Sequence, residues 1–103
     1  SKIDYDNSEN TRSLLSEQLS IQDRQQRYNY QNLLEQYMNQ KDNIAVAKEV
    51  LVKMNLKYQQ GVVSTLELTS ANTDYLNAET SYTSILLQLM NAELSIRKIN
   101  NKL

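Results

Sequence analysis

Histidine, cysteine, tryptophan, phenylalanine and proline are all missing from this 103-residue sequence, and glycine occurs once. Each absence excludes something. Without cysteine there is no disulfide framework, and without cysteine or histidine no zinc-type metal site. Without an imidazole there is no Ser-His-Asp or Cys-His catalysis, because no base of that kind is present. Charge of one sign is missing as well. Eleven Lys and Arg stand against twelve Asp and Glu, a net charge of −1, so nothing draws the chain to nucleic acid or an anionic membrane. Long apolar runs are also lacking. The longest, Ile44 to Ala47, is too short to span a bilayer or to serve as a signal peptide. The opening Ser-Lys, in place of Met, leads us to expect a piece of a longer protein.

What is present is amide and aliphatic. Ten Gln and twelve Asn carry much of the polarity, and apolar residues make up 40%. That is enough for stripes along helices and lean for a closed core. Tyrosine supplies all seven aromatics.

With no proline and one glycine, the chain has one obvious place to reverse: Tyr58-Gln-Gln-Gly61-Val-Val-Ser64-Thr-Leu-Glu67-Leu68. Gly61 suits the residue just past a helix, where a positive φ is needed and only glycine adopts it cheaply. Ser64-x-x-Glu67 reads as a capping box, each side chain satisfying an orphan backbone N–H. Val63 before the cap and Leu68 after it fit a hydrophobic staple. Stop and start signals three residues apart predict a tight helical hairpin.

The arms follow from periodicity. Leu68, Tyr75, Tyr82, Leu89, Ile96 and Leu103 repeat every seven residues, interleaved with Ala71, Ala78, Ile85, Ala92 and Ile99. Alternating steps of three and four make this a coiled-coil seam. On the first arm Tyr30, Tyr37, Ile44, Leu51 and Tyr58 do the same, with Leu33, Gln40, Ala47 and Met54 between them. Small residues on one arm can receive large ones from the other. Towards the N-terminus the seam is expected to pass Gln26 and Gln22 before Leu19 and Leu15, polar and loosely packed. The fold class predicted is all-α: a long antiparallel two-helix coiled-coil hairpin with unequal arms. The first helix is expected over about 3–60, the turn at 61–64 and the second helix over about 65–102. At 1.5 Å per residue the arms measure about 85 Å and about 57 Å. The polar opening Ser1 to Asn10 is expected to fray.

The second arm carries another apolar series: Leu66, Thr69, Thr73, Leu76, Thr80, Thr83, Leu87, Met90 and Leu94. Its centre lies about 160° around the helix from the first seam. A helix in a lone hairpin needs one apolar face; two nearly opposite faces call for a neighbour on each side. Between the stripes run Glu67, Ser70, Asp74, Asn77, Ser81, Ser84, Gln88 and Asn91, and the narrow opposite face holds Asn72, Glu79, Leu86 and Glu93. Two lateral seams with two polar faces suit a wall between aqueous compartments. A four-helix bundle with a wide apolar sector satisfies the same pattern, and periodicity alone leaves both open.

One stretch of residues goes further. Lys57-Tyr-Gln-Gln-Gly61-Val-Val-Ser-Thr-Leu66-Glu-Leu-Thr-Ser-Ala71-Asn-Thr-Asp-Tyr75-Leu-Asn-Ala78-Glu-Thr-Ser-Tyr82 resembles the TolC-like outer-membrane efflux factor family. The shared pattern is Tyr-x-x-Gly, an aliphatic residue shortly after, then the ladder Ala71, Tyr75, Leu76, Ala78, Tyr82. Leu89-x-x-Ala92-x-Leu94 fits the family's returning helix. Residues 57 to 103 carry the resemblance; over 1 to 56 it is one of composition.

In that family two hairpins per chain, in a trimer, build a helical periplasmic tunnel below an outer-membrane β-barrel. This chain looks like one such hairpin, closer to the second repeat. The resemblance implies a periplasmic segment of a Gram-negative outer-membrane protein. Gly61, Val62, Val63 and Ser64 would be the tip that docks a periplasmic adaptor (membrane fusion) protein. As plain structure, the same residues are a cap and a staple, and the two roles are compatible. Glu67, Ser70, Asp74 and Asn77 would line the tunnel. Some family members narrow the tunnel tip with two acidic residues one turn apart; here Glu67 matches the first and Ser70 stands at the second. Val62 or Val63 replaces the basic residue found near the glycine. A single ring of Glu67 is the most this implies, and a purely capping Glu67 fits equally well.

Three readings are therefore carried forward: a tunnel hairpin of an export channel, a generic coiled-coil or four-helix-bundle interaction module, and an enzyme. The last lacks base, nucleophile and metal cluster, so we expect no catalysis and no cofactor. Asp4 and Asp6 are no catalytic dyad, and Glu49 with Lys53 reads as ordinary i,i+4 support. Tyr75 and Tyr82 read as seam packing whose hydroxyls reach polar groups. Expected partners are the adaptor and further copies of the chain: a trimer in the parent, a dimer or four-helix bundle for the hairpin alone. Nucleic acid and direct membrane insertion are not expected.

Overall fold

The computed structural model describes the backbone of residues 2–102 and the side chains from Tyr5 to Lys102. It contains two helices, α1 (Lys2–Gln59) and α2 (Thr65–Lys102), and no strand among the described residues. The predicted fold class holds: an antiparallel two-helix hairpin whose arms number 58 and 38 residues. Neither arm contains a proline or glycine, so nothing interrupts the i to i−4 ladder. Residues 2–10 belong to α1, with side chains 5–10 exposed. Leu103, the last position of the counted seam, and the Asp4 side chain lie outside the described residues. No helix is long and apolar enough to cross a membrane among those described.

The chain divides into two compact units. The turn unit, Leu33–Leu89, holds both sides of the reversal. On α1, Leu33 is buried and Tyr37, Gln40, Ile44, Ala47, Leu51 and Met54 are half-buried. On α2, Ala71 is buried and Leu68, Tyr75, Ala78, Tyr82, Ile85 and Leu89 are half-buried. These are the heptad positions, and every residue between them on α1 is exposed. Tyr58, counted into the seam, is 43% exposed. It sits in the last turn of α1, where the chain leaves the seam to reverse. Leu86, placed on a polar face by counting, is half-buried beside Ile85.

The terminal unit combines α1 up to Asn32 with α2 from Met90 onward. Ala92 and Ile99 are buried and Ser95 and Ile96 half-buried on α2. On α1 the half-buried residues are Leu19, Asp23, Gln26 and Tyr30. This corrects the predicted register. Gln22 is exposed and Asp23 takes its place, while Leu15 is 55% exposed. Steps of four and three back from Tyr30 lead to Gln26, Asp23 and Leu19, so the heptad simply continues.

The core is thin. Only Leu33, Ala71, Ala92 and Ile99 count as buried, and no side chain is fully enclosed among those described. One helix laid against another covers a single stripe of each, and a second layer is what normally completes a core.

Candidate docking tip and lining face

The turn is built by two interlocking caps. Gly61 adopts φ 74°, the one positive φ among the described residues. Its N–H donates to the Tyr58 carbonyl (3.0 Å), and the Val62 N–H reaches back to the Lys57 carbonyl (2.9 Å). That pair of bonds is a Schellman motif, which satisfies carbonyls the helix would otherwise leave open. Three residues on, the Ser64 N–H donates to Glu67 Oε2 (3.0 Å) and the Glu67 N–H donates to Ser64 Oγ (3.2 Å). The capping box is thus reciprocal, and the Leu68 N–H closes the first helical bond onto the Ser64 carbonyl (3.2 Å). Val63 and Leu68, the staple pair, are both half-buried. Nothing lies within 4 Å of where a Cβ on Gly61 would stand. The glycine is required by its backbone angle, not by crowding.

Of the four tip residues, Gly61, Val62 and Ser64 are exposed and Val63 is half-buried. Val62 at 69% and Leu66 at 78% offer the tip's bare apolar surface. Leu66 belongs to the second stripe by its spacing, yet it stands one turn from the cap and belongs equally to the tip. Glu67, Ser70, Asp74 and Asn77, the residues expected to line a tunnel, are all exposed. Glu67 is committed to the box through Oε2, which leaves Oε1 as its outward acceptor. Between Thr65 and Ile96 helix α2 carries Glu67, Asp74, Glu79 and Glu93 and not one Lys or Arg. That one-signed segment was readable from the sequence, though the near-zero net charge hides it.

The second stripe of α2 is bare. In the turn unit Leu66, Leu76 and Leu87 are exposed, the last two at 52% and 56%; in the terminal unit Met90 and Leu94 are at 53% and 52%. Leu76, Glu79, Thr80, Thr83, Ser84 and Leu87 line a shallow open groove on it. The Thr80 hydroxyl donates to the Leu76 carbonyl of its own helix (2.9 Å), so its polar atom is satisfied locally.

On the paired side, the Tyr37 and Tyr82 hydroxyls lie 3.2 Å apart, with ring centroids at 5.4 Å and planes tilted by 35°. Hydrogen bonding to Tyr37 raises the Tyr82 phenol above its ordinary value, with desolvation and the Tyr37 charge adding to it. The expected packing role of Tyr82 thus includes a cross-helix hydrogen bond. In the terminal unit a second link joins the helices: Arg27 Nη2 donates to Asn100 Oδ1 (3.3 Å), while Arg27 Nε donates to Asp23 Oδ2 (3.0 Å). Sequence reading missed this group because it had placed Gln22 in the seam. No group of three or more potential metal ligands occurs among the described residues.

Set against protein-family models, curated proteins and solved structures, the chain matches none of them.

Proposed function

We propose that the hairpin is a periplasmic wall segment of a TolC-like outer-membrane export channel, docking a periplasmic adaptor through its tip. One observation supports this most directly. Helix α2 pairs with α1 along one stripe and leaves a nearly opposite stripe of Leu66, Leu76, Leu87, Met90 and Leu94 exposed. Apolar burial contributes about 25 cal/mol per Å², so covering these five side chains would favour association, and an apolar series of this kind marks an interaction surface. A neighbouring hairpin on that side completes the missing layer. The exposed Glu67, Ser70, Asp74 and Asn77 then face an aqueous lumen, and the Gly61–Ser64 caps present Val62 and Leu66 rigidly to a partner. The chain performs no chemistry in this reading. It forms a surface and an end.

The test has two arms. Cosedimentation with the helical hairpin of a periplasmic adaptor should show binding that Gly61→Val weakens at least tenfold, about 1.4 kcal/mol, and Ser95→Ala leaves alone. Val resists positive φ, so the tip must distort, whereas the Ser95 hydroxyl only returns to the Asn91 carbonyl of its own helix (3.1 Å). In the second arm, Leu76→Gln with Leu87→Gln should abolish association between hairpins. A closed two-fold dimer with no adaptor binding would select the generic four-helix-bundle reading instead.

A further inference from the structure

The terminal unit contains a feature that neither wall nor tip requires. Its seam on α1 reads Leu19, Asp23, Gln26, Tyr30. An apolar residue at position 23 would continue the apolar heptad that the seam follows nearer the turn. Asp23 instead holds its carboxylate there, its side chain only 18% exposed. Oδ2 accepts from Arg27, but Oδ1 is buried and has no hydrogen-bond partner among the described residues. A carboxylate oxygen left in that state opposes closure of the seam. The same carboxylate holds Arg27, four residues on, so that its Nη2 reaches Asn100 across the helix pair. Among the described residues this is the one side-chain hydrogen bond joining α1 to α2 in the terminal unit. Arg27 is 53% exposed, so water and salt compete for the link.

We infer that Asp23, Arg27 and Asn100 form a polar clasp that lets α1 and α2 separate and re-pair in the terminal unit while the turn unit stays closed. Asp23 contributes in two opposed ways: its unsatisfied oxygen weakens the seam, and its satisfied oxygen aims the arginine that fastens it. An apolar seam would remain shut, and a seam without Arg27 would lose the side-chain hydrogen bond that joins the two helices there. Replacing buried polar groups by packed apolar ones commonly stabilises a fold, which gives the inference its sign. Opening here is a local event of the kind hydrogen exchange reads directly.

Amide exchange of α2 from Asn91 to Asn101 tests it in the 103-residue chain, at low salt and at about 1 M, where screening falls to a few ångströms. Arg27→Ala and Asn100→Ala should each speed exchange there about tenfold and leave Leu68 to Leu89 unchanged. Asp23→Leu should slow it about tenfold and remove the dependence on salt. Arg97→Ala, which breaks only a same-helix pair with Glu93 at 2.8 Å, serves as control and should do neither. Spin labels on the exposed positions Arg24→Cys and Lys98→Cys give a second readout, broad in the parent chain and narrow with Asp23→Leu. Faster exchange or a broader distance with Asp23→Leu would overturn the clasp, as would an Arg27→Ala effect spread evenly over both units.

Discussion

The turn unit and the terminal unit are made of the same two helices, yet they are held in different ways. The turn unit has a seam that is aliphatic and tyrosine apart from Gln40, with Leu33 and Ala71 buried, two caps at the reversal, and a tyrosine pair across it. The terminal unit buries Ala92 and Ile99 on one side but sets Asp23 and Gln26 against that side. Heptad position alone therefore says little about strength. What occupies the position decides whether a seam is a core or a contact.

The largest effect expected from this contrast is in local stability. Amides of α1 from Tyr37 to Met54 should be protected about a hundredfold more than those from Thr11 to Gln26, roughly 3 kcal/mol of opening free energy. Uniform protection along α1 would erase the distinction. Next comes packing. Leu33→Ala should lower stability by about 2–3 kcal/mol, and Leu19→Ala, half-buried in a polar stretch, by less than about 1 kcal/mol, both read from urea midpoints. Equal losses would mean that the terminal seam packs as tightly as the other. A smaller loss is expected at the caps. Ser64→Ala removes one side of the box and should cost about 1 kcal/mol. Gly61→Ala should cost a similar amount, about 1 kcal/mol, and since space is free around Gly61 that cost is purely conformational.

The smallest effect is alkaline and confined to the turn unit. Tyr82 has its folded pKa raised by the Tyr37 hydrogen bond, so the protonated phenol is favoured in the folded chain. Its contribution is complete below the unfolded tyrosine value near 10 and is lost as pH rises through the raised folded value. The urea midpoint should therefore fall more steeply there for the parent chain than for Tyr37→Phe. Identical alkaline slopes would show that the hydroxyl pair does not couple to folding.

Much of the fold was legible because contrast was high. Gly61 and Ser64-x-x-Glu67 are punctuation with a mechanism, and the Leu68 to Ile99 ladder alternates apolar steps on a polar background. Asp23 was misplaced for the opposite reason. Where the seam itself is polar, hydropathy no longer marks it, and two successive steps of four from Tyr30 slid the register onto Gln22. Strict alternation would have recovered Asp23 but not its unsatisfied oxygen, nor the reach of Arg27 to Asn100. Both depend on side-chain placement that no periodicity encodes. The exposure of Leu76, Leu87, Met90 and Leu94 was foreseeable once the first seam was assigned. The roles given to Val62 and Glu67 rest on resemblance, and the structure adds that both are also tied into caps, Val62 through its backbone N–H and Glu67 through its carboxylate.

The turn has a kinetic consequence too. Bringing Tyr37 to Tyr82 closes a loop of 45 residues, and bringing Arg27 to Asn100 closes one of 73. Direct closure would differ by only about 0.4 kcal/mol between them, too little to order the events. The caps of Gly61 and Ser64 change that, because their bonds span three to five residues each and form as fast as local helix does. Once they exist, every later pairing is with the next neighbour along the zipper. The chain should therefore fold from its reversal outward, tyrosines before arginine, and a lesion at Gly61 should slow folding while a lesion at Arg27 should mainly speed unfolding.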